Sequence, residues 1–417
     1  MVSPSAAPPL SSSDPATSHH REPARLRAAN AALHALWDRG WATTPSLNCD
    51  ALIGKASAKA GAAPDEDRVG WRDRLAILCE DLEAHAGLSD LGRTIAHGQL
   101  VSALTARFRA HALWRRHPEI ADLPITRPII IVGQMRSGST RMQRLLACDP
   151  RLTFTRFFES WNPVPGSGIV DTRRLKGWTG LKLAHLLNPA FGTIHPTASD
   201  APDEEIGLHS LSIFGSAFEA QWRVPTYTAA IEEGDAVAVY REFRHLLQTL
   251  AWLRGGAETR PWVLKVPQFT QDLPAILRVF PDARLIRLRR DLGDVVASSA
   301  SLVCNQMQVQ SRDVDPDWVA REWARKVQLR HDRSEAAFEA TTAPRVEVGY
   351  DELSGDWTRE MRRVYRMLDM PLPADVLDRM QRYLETSDPS RRKRHDYRAV
   401  PFGGGAEPKR LDPIPAR

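Results

Sequence analysis

Residues 128–150, PIIIVGQMRSGSTRMQRLLACDP, constrain the fold of this chain more than any other stretch. Pro128 precedes four apolar residues, Ile129 to Val132, and Gly133 to Thr140 then form a glycine- and hydroxyl-rich turn. Met142, Leu145 and Leu146 follow at helical spacing. That order predicts a buried parallel strand, a tight loop and a helix start. Such a loop aims backbone N–H groups and the positive end of the helix dipole at one point, an anion cradle suited to a phosphate. The plainer reading is a glycine-containing turn after a core strand, with no ligand.

The cradle departs from a nucleotide-triphosphate loop in one respect. The pattern G-x-x-x-x-G-K-[ST] requires a lysine after the second glycine. Here Gly133 and Gly138 have the right spacing, but Ser139 and Thr140 follow directly and the cation, Arg136, comes earlier. The loop can hold a phosphate without the usual means of moving a γ-phosphoryl group. In this it resembles the phosphosulfate-binding loop of sulfotransferases, which in the bacterial sulfotransferase-like family commonly reads P-R-S-G-T-T. This chain has Met135-Arg136-Ser137-Gly138-Ser139-Thr140. Met135 for proline and Ser139 for threonine leave the backbone donors and the last hydroxyl in place.

Composition narrows the ligand. A length of 417 residues, 42% hydrophobic and 26% charged, suits a soluble globular enzyme. The net charge of +5 comes without a long basic run before the C-terminal tail, which favours a small anionic ligand over nucleic acid. Cys49, Cys79, Cys148 and Cys304 form no C-x-x-C pair, so neither a disulfide framework nor a metal site is expected, and the cytoplasm is the expected compartment. No apolar run reaches the ~18 residues of a membrane span. Residues 1–24, rich in proline, serine and alanine, read as a disordered lead-in rather than a secretory signal.

Residues 25–124 have a helical pattern. Trp71, Leu75, Leu78, Cys79 and Leu82 make one apolar stripe, Val101, Leu104 and Phe108 begin another, and Gly87 and Gly92 bracket the expected break. This part reads as a helical cap on a nucleotide-binding core. Residues 166–235 are the least regular, with Asp203-Glu204-Glu205 reading as an acidic helix start. Cys304 to Pro316 is polar and glutamine-rich and reads as a loop over the acceptor site, before a helix from Trp318 to Phe338.

Between Pro261 and Leu302 the pattern is strand, helix, strand, helix, the mark of a parallel α/β sheet. Trp262 to Leu264 runs into Lys265, and Arg284 to Leu288 runs into Arg289-Arg290-Asp291. Ligands in such sheets bind at the carboxyl ends of the strands, so the first loop, Lys265 and Arg290 are expected to converge. Here the resemblance to the bacterial sulfotransferases extends. The family commonly reads L-K-x-P, F-P-D-A-R and H-R-D-P-x-x-V-x-x-S. This chain has Leu264-Lys265-Val266-Pro267, Phe280-Pro281-Asp282-Ala283-Arg284, and Arg289-Arg290-Asp291-Leu292 onward to Ser298. Leu292 stands for the usual proline and Arg289 for the usual histidine. Toward the end, Arg345 to Gly349 reads as a last strand, Tyr350 to Leu353 resembles the family's Y-x-x-L, and Arg394-His395-Asp396-Tyr397 through Phe402-Gly403 resembles its H-x-Y-x-x-x-x-F-G ending.

The resemblance implies a P-loop nucleotide-kinase-like sulfotransferase fold, a parallel sheet flanked by helices, over residues 125–403 with residues 404–417 as a tail. It implies 3′-phosphoadenosine-5′-phosphosulfate (PAPS) as donor, released as 3′,5′-bisphosphoadenosine (PAP), and a hydroxyl or amine acceptor of unknown identity. Arg136, Ser137, Gly138, Ser139 and Thr140 would hold the phosphosulfate with Lys265. Arg290 and Ser298 would grip the 3′-phosphate, and the tail with Arg394 would fold over the donor. Glu159, among Phe157, Phe158 and Trp161, matches the family's general base by its offset from Arg136, in aromatic surroundings that desolvate a carboxylate. Glu205 and His195 are secondary base candidates. A magnesium-dependent kinase and a non-catalytic nucleotide binder are the alternative functions.

Overall fold

A computed structural model of the chain describes residues 23–387, apart from Ser167, Ile169, His195 and Ala257. Five parallel strands make its sheet: β1 (Ile129–Val132), β2 (Thr153–Phe154), β3 (Trp262–Lys265), β4 (Arg284–Arg289) and β5 (Arg345–Gly349), in the order β2-β3-β1-β4-β5. Ile131 is in register with Lys265 on one side and Ile286 on the other. The carboxyl ends of β1, β3 and β4 therefore lie along one edge. The chain leaves β1 for β2 and β3 on one flank and β4 and β5 on the other, so β1 opens onto a topological switch point.

Side-chain alternation sends each strand into two cores. Ile129, Ile131, Val263, Ile286, Leu288 and Val348 pack with the loop helix (Ser139–Leu146) and the C-terminal helices. Ile130, Val132, Trp262, Leu264 and Leu285 face the opposite way and join the helices at Val237–Leu253 and Phe269–Val279. Burial on both faces explains why these strands read as continuous apolar runs. The same second core takes in Trp71, Leu75, Leu78, Leu82, Leu104 and Phe108 from the helices at Trp71–Ala84 and Asp90–Arg116. The N-terminal helices thus share the sheet's core.

Two expectations need correction. Gly92 does not mark a helix break: it lies in the first turn of Asp90–Arg116, where its N–H bonds to the Ser89 cap at 3.0 Å. A Cβ there would fall 1.8 Å from the Gln310 carbonyl oxygen, so the glycine serves a close approach between helices. Nor is Cys304 to Pro316 a loop, since one helix runs from Leu292 to Gln310 and the next from Pro316 to Ala340. Its glutamines bond in the interior, with Gln310 accepting from Trp222 Nε1 at 2.8 Å and donating to Gln221 at 3.0 Å. The irregular region also contains a 15-residue helix, Arg173–Leu187. No described helix is long and apolar enough to cross a membrane.

Candidate active site

The turn after β1 closes tightly because both its glycines are crowded. At Gly133 a Cβ would sit 2.7 Å from Ser137 Oγ and 3.0 Å from Leu288 Cβ. At Gly138, where φ is +89°, it would sit 3.1 Å from the Tyr350 ring. Arg136 is also left-handed, with φ of 68°. The Ser137 hydroxyl donates to Gln134 O at 2.7 Å, and the Gln134 amide donates to Val327 O at 2.9 Å, anchoring the turn to the helix at Pro316–Ala340. Gly138 caps the loop helix, so the first-turn N–H groups from Ser139 onward have no helical acceptor. They point where an anion would lie.

Arginines from two elements meet beside this turn. Arg136 Nε donates to Ser298 Oγ at 3.0 Å, and Arg290 Nη1 donates to Arg136 O at 2.8 Å. The Arg290 guanidinium lies 4.3 Å from the centroid of the Tyr350 ring. Its Nε is buried with no hydrogen-bond partner among the described residues, a donor left aimed without an acceptor. Residues Gly133, Ser137, Arg290, Asp291, Tyr350 and Arg363 help line the concavity here, about 620 Å³ in volume.

Lys265, the last residue of β3, is 2% exposed. Its Nζ donates to Thr140 Oγ1 at 3.2 Å and to the Glu204 carboxylate. Its backbone N–H donates to Glu205 Oε2 at 2.8 Å. Glu205 has no solvent contact, and burial pushes its carboxyl up to about 8. Nearby His209 is buried against Phe243, ring centroids 4.6 Å apart, and burial pulls it down to about 3.

The structure brings Arg136, Ser137, Gly138, Ser139, Thr140, Lys265, Arg290 and Ser298 into one contiguous set. Glu159 stands elsewhere. Its Oε2 accepts the Arg156 N–H at 2.9 Å, Arg254 Nε donates to its Oε1 at 3.0 Å, and Arg254 Nη2 bonds to its Oε2. It lines a separate concavity with Arg156, Arg173, Arg254, Glu258 and Arg260. The carboxylate's main partner is thus an arginine distant in sequence rather than the neighbouring aromatic rings. His195, Arg394 and the residues 390–403 frame lie outside the described residues. Sequence reasoning missed the pairing of Glu204 with Lys265; the sole local signal was the acidic Asp203-Glu204-Glu205 run, which resembles any helix start.

The profile of the sulfotransferase family matches residues 128–374, from the start of β1 to the beginning of the last described helix. A search of curated protein sequences gave no match. Among solved structures, the sulfotransferase STF1 from Mycobacterium tuberculosis H37Rv is 24% identical with a TM-score of 0.73, over 82% of this chain and 94% of that one. The sulfotransferase STF9 from Mycobacterium avium is also 24% identical, with a TM-score of 0.74 over 85% of this chain and 91% of its own. These two share the fold, and the family profile spans more than half of the sequence, so the chain belongs to the sulfotransferase family.

Proposed function

We propose that this protein transfers a sulfuryl group from PAPS to a hydroxyl or amine acceptor. The observation that carries the reading is the junction of Arg290, Arg136 and Ser298 beside the turn after β1. It supplies two guanidinium groups and a hydroxyl next to a cradle of backbone N–H donors, a set suited to a nucleotide with phosphates at both its 3′ and 5′ positions. The unpartnered Arg290 Nε and the side-chain-free surface at Gly138 fit such a ligand.

The residue roles follow from where charge moves. Transfer forms a bond from the acceptor oxygen or nitrogen to sulfur and breaks the bond from sulfur to the donor's phosphate oxygen. Negative charge collects on that leaving phosphate. N–H groups of residues 137–140, Arg136 and Lys265 stabilise it, each preorganised donor contributing on the order of 10²–10³ in rate. Lys265 stands at the right place, bonded to Thr140 in the first turn of the loop helix. A carboxylate takes the acceptor's proton. Arg290 and Ser298 bind the 3′-phosphate and so discriminate against ATP-like nucleotides.

Calorimetric titration with PAP and with ADP, both without magnesium, tests the donor. PAP should bind more tightly, and Arg290→Ala should remove most of that preference. A charge-assisted hydrogen bond is worth about 1.5–3 kcal/mol, so the loss should be roughly 10- to 150-fold in Kd. Equal or tighter binding of ADP overturns the reading in favour of a kinase or a general nucleotide binder.

A further inference from the structure

Glu204 is a carboxylate on a rigid mount. Gln143 on the loop helix donates to Asp203 O at 3.0 Å, and Ser160 Oγ donates to Glu204 O at 2.7 Å. The following residue, Glu205, is bonded to the backbone N–H of Lys265 at 2.8 Å. The segment lies so close to the Phe157–Trp161 helix that a Cβ on Gly207 would fall 2.4 Å from Ser160 O. The backbone around Glu204 is therefore tied to the loop helix, to that short helix and to β3 at once. Its side chain is 14% exposed and pairs with Lys265 Nζ, which reaches Thr140 at 3.2 Å.

The other described carboxylates near this edge are committed elsewhere. Both Glu159 oxygens are bonded to Arg254, and the residue faces a different concavity. Glu205 has no path to solvent, and burial favours its neutral form. Glu204 alone among these three combines an accessible carboxylate with contact to the lysine at the loop.

We propose that Glu204 is the group that takes the acceptor's proton, and that before the donor binds it is the counter-ion holding Lys265 beside Thr140. This rests on the sulfuryl-transfer reading above. The donor's phosphosulfate competes with Glu204 for the Lys265 ammonium, freeing the carboxylate for the acceptor. In the step itself the acceptor hydroxyl oxygen forms the new bond to sulfur. The bond from sulfur to the donor's phosphate oxygen breaks, and its electron pair stays on the phosphate. The hydroxyl proton passes to Glu204. Lys265 thus exchanges one anionic partner for another while Glu204 loses its charge to the proton, so neither buried charge is left uncompensated.

The test compares wild type, Glu204→Gln and Glu159→Gln in two measurements: titration with PAP, and transfer of radiolabelled sulfate from PAPS. Water serves as the ever-present weakly acidic acceptor, and 4-nitrophenol as one whose proton leaves readily. Glu204→Gln should bind PAP at least as tightly as wild type. It should lose roughly 10²-fold or more in transfer to water and much less with 4-nitrophenol, because an acidic acceptor needs little help from a base. Glu159→Gln should transfer at close to the wild-type rate. Transfer to water by Glu204→Gln within a few-fold of wild type overturns the proposal. So does an equal loss on both acceptors with weakened PAP binding, the signature of a merely structural role. Failure of the wild type itself to bind PAP would instead overturn the donor reading.

Discussion

Glu205 shows what the site costs at the level of one residue. It holds the end of β3 by accepting the Lys265 N–H, yet it is wholly buried, and desolvation lifts its carboxyl to about 8. A carboxyl raised in the folded state contributes stability that is complete below its unfolded value near 4.5 and is lost as pH rises through the folded value. His209 and His245 are pulled down to about 3 and 4 and are neutral in both states above about pH 6.5, so the interval from there to pH 8 isolates Glu205. Wild-type stability should fall by about 1–2 kcal/mol across that interval. Glu205→Gln, which can still accept the N–H, should flatten the fall; denaturant unfolding at several pH values measures it. The phosphate-facing residues were legible one by one, because Gly138, Arg136 and Ser298 act through short-range geometry. The proton acceptor was not legible. Glu159 matched by offset, but Arg254, 95 residues downstream, engages its carboxylate.

At the scale of elements, the helices Asp90–Arg116 and Leu292–Gln310 meet where Gly92 faces the Gln310 carbonyl. Gly92→Ala would put a methyl group into a backbone oxygen, which no rotamer change relieves. It should destabilise by about 1–3 kcal/mol or more, the usual range of overpacking, read as a lower urea midpoint at unchanged slope. Strands β1, β3, β4 and β5 were legible nearly to the residue, since burial on both faces writes a continuous apolar run and a turn residue bounds it. The Leu292–Gln310 helix was only half legible. Its last turns are polar, and the partners that make those polar groups acceptable, Trp222 on Gln310 and Asn188 on Asn305, come from distant parts of the chain.

Across the whole molecule, the N-terminal helices and the sheet are joined by charge as well as by apolar packing. Arg107, 1% exposed, donates to Asp65 at 2.9 and 2.6 Å and to Glu242 at 2.6 and 3.0 Å. Asp65 precedes the helix Trp71–Ala84, while Glu242 lies on the helix Val237–Leu253 beside the sheet. Arg107→Ala would leave two buried carboxylates uncompensated and should cost about 3–5 kcal/mol. The loss should appear as one shifted unfolding transition, seen alike by far-ultraviolet circular dichroism and tryptophan fluorescence. Two separated transitions would mean that the helices of residues 25–124 unfold independently of the sheet. The sequence by itself determined the parallel α/β class, the anion cradle and the cations at the strand ends, because each is written in residues a few positions apart whose backbone geometry is local. Only the tertiary structure decided which carboxylate meets Lys265, which one Arg254 engages, and that cap and sheet share one core. Those outcomes depend on how helices pack across separations such as the 61 residues between Glu204 and Lys265, where burial and charge pairing outweigh any local preference.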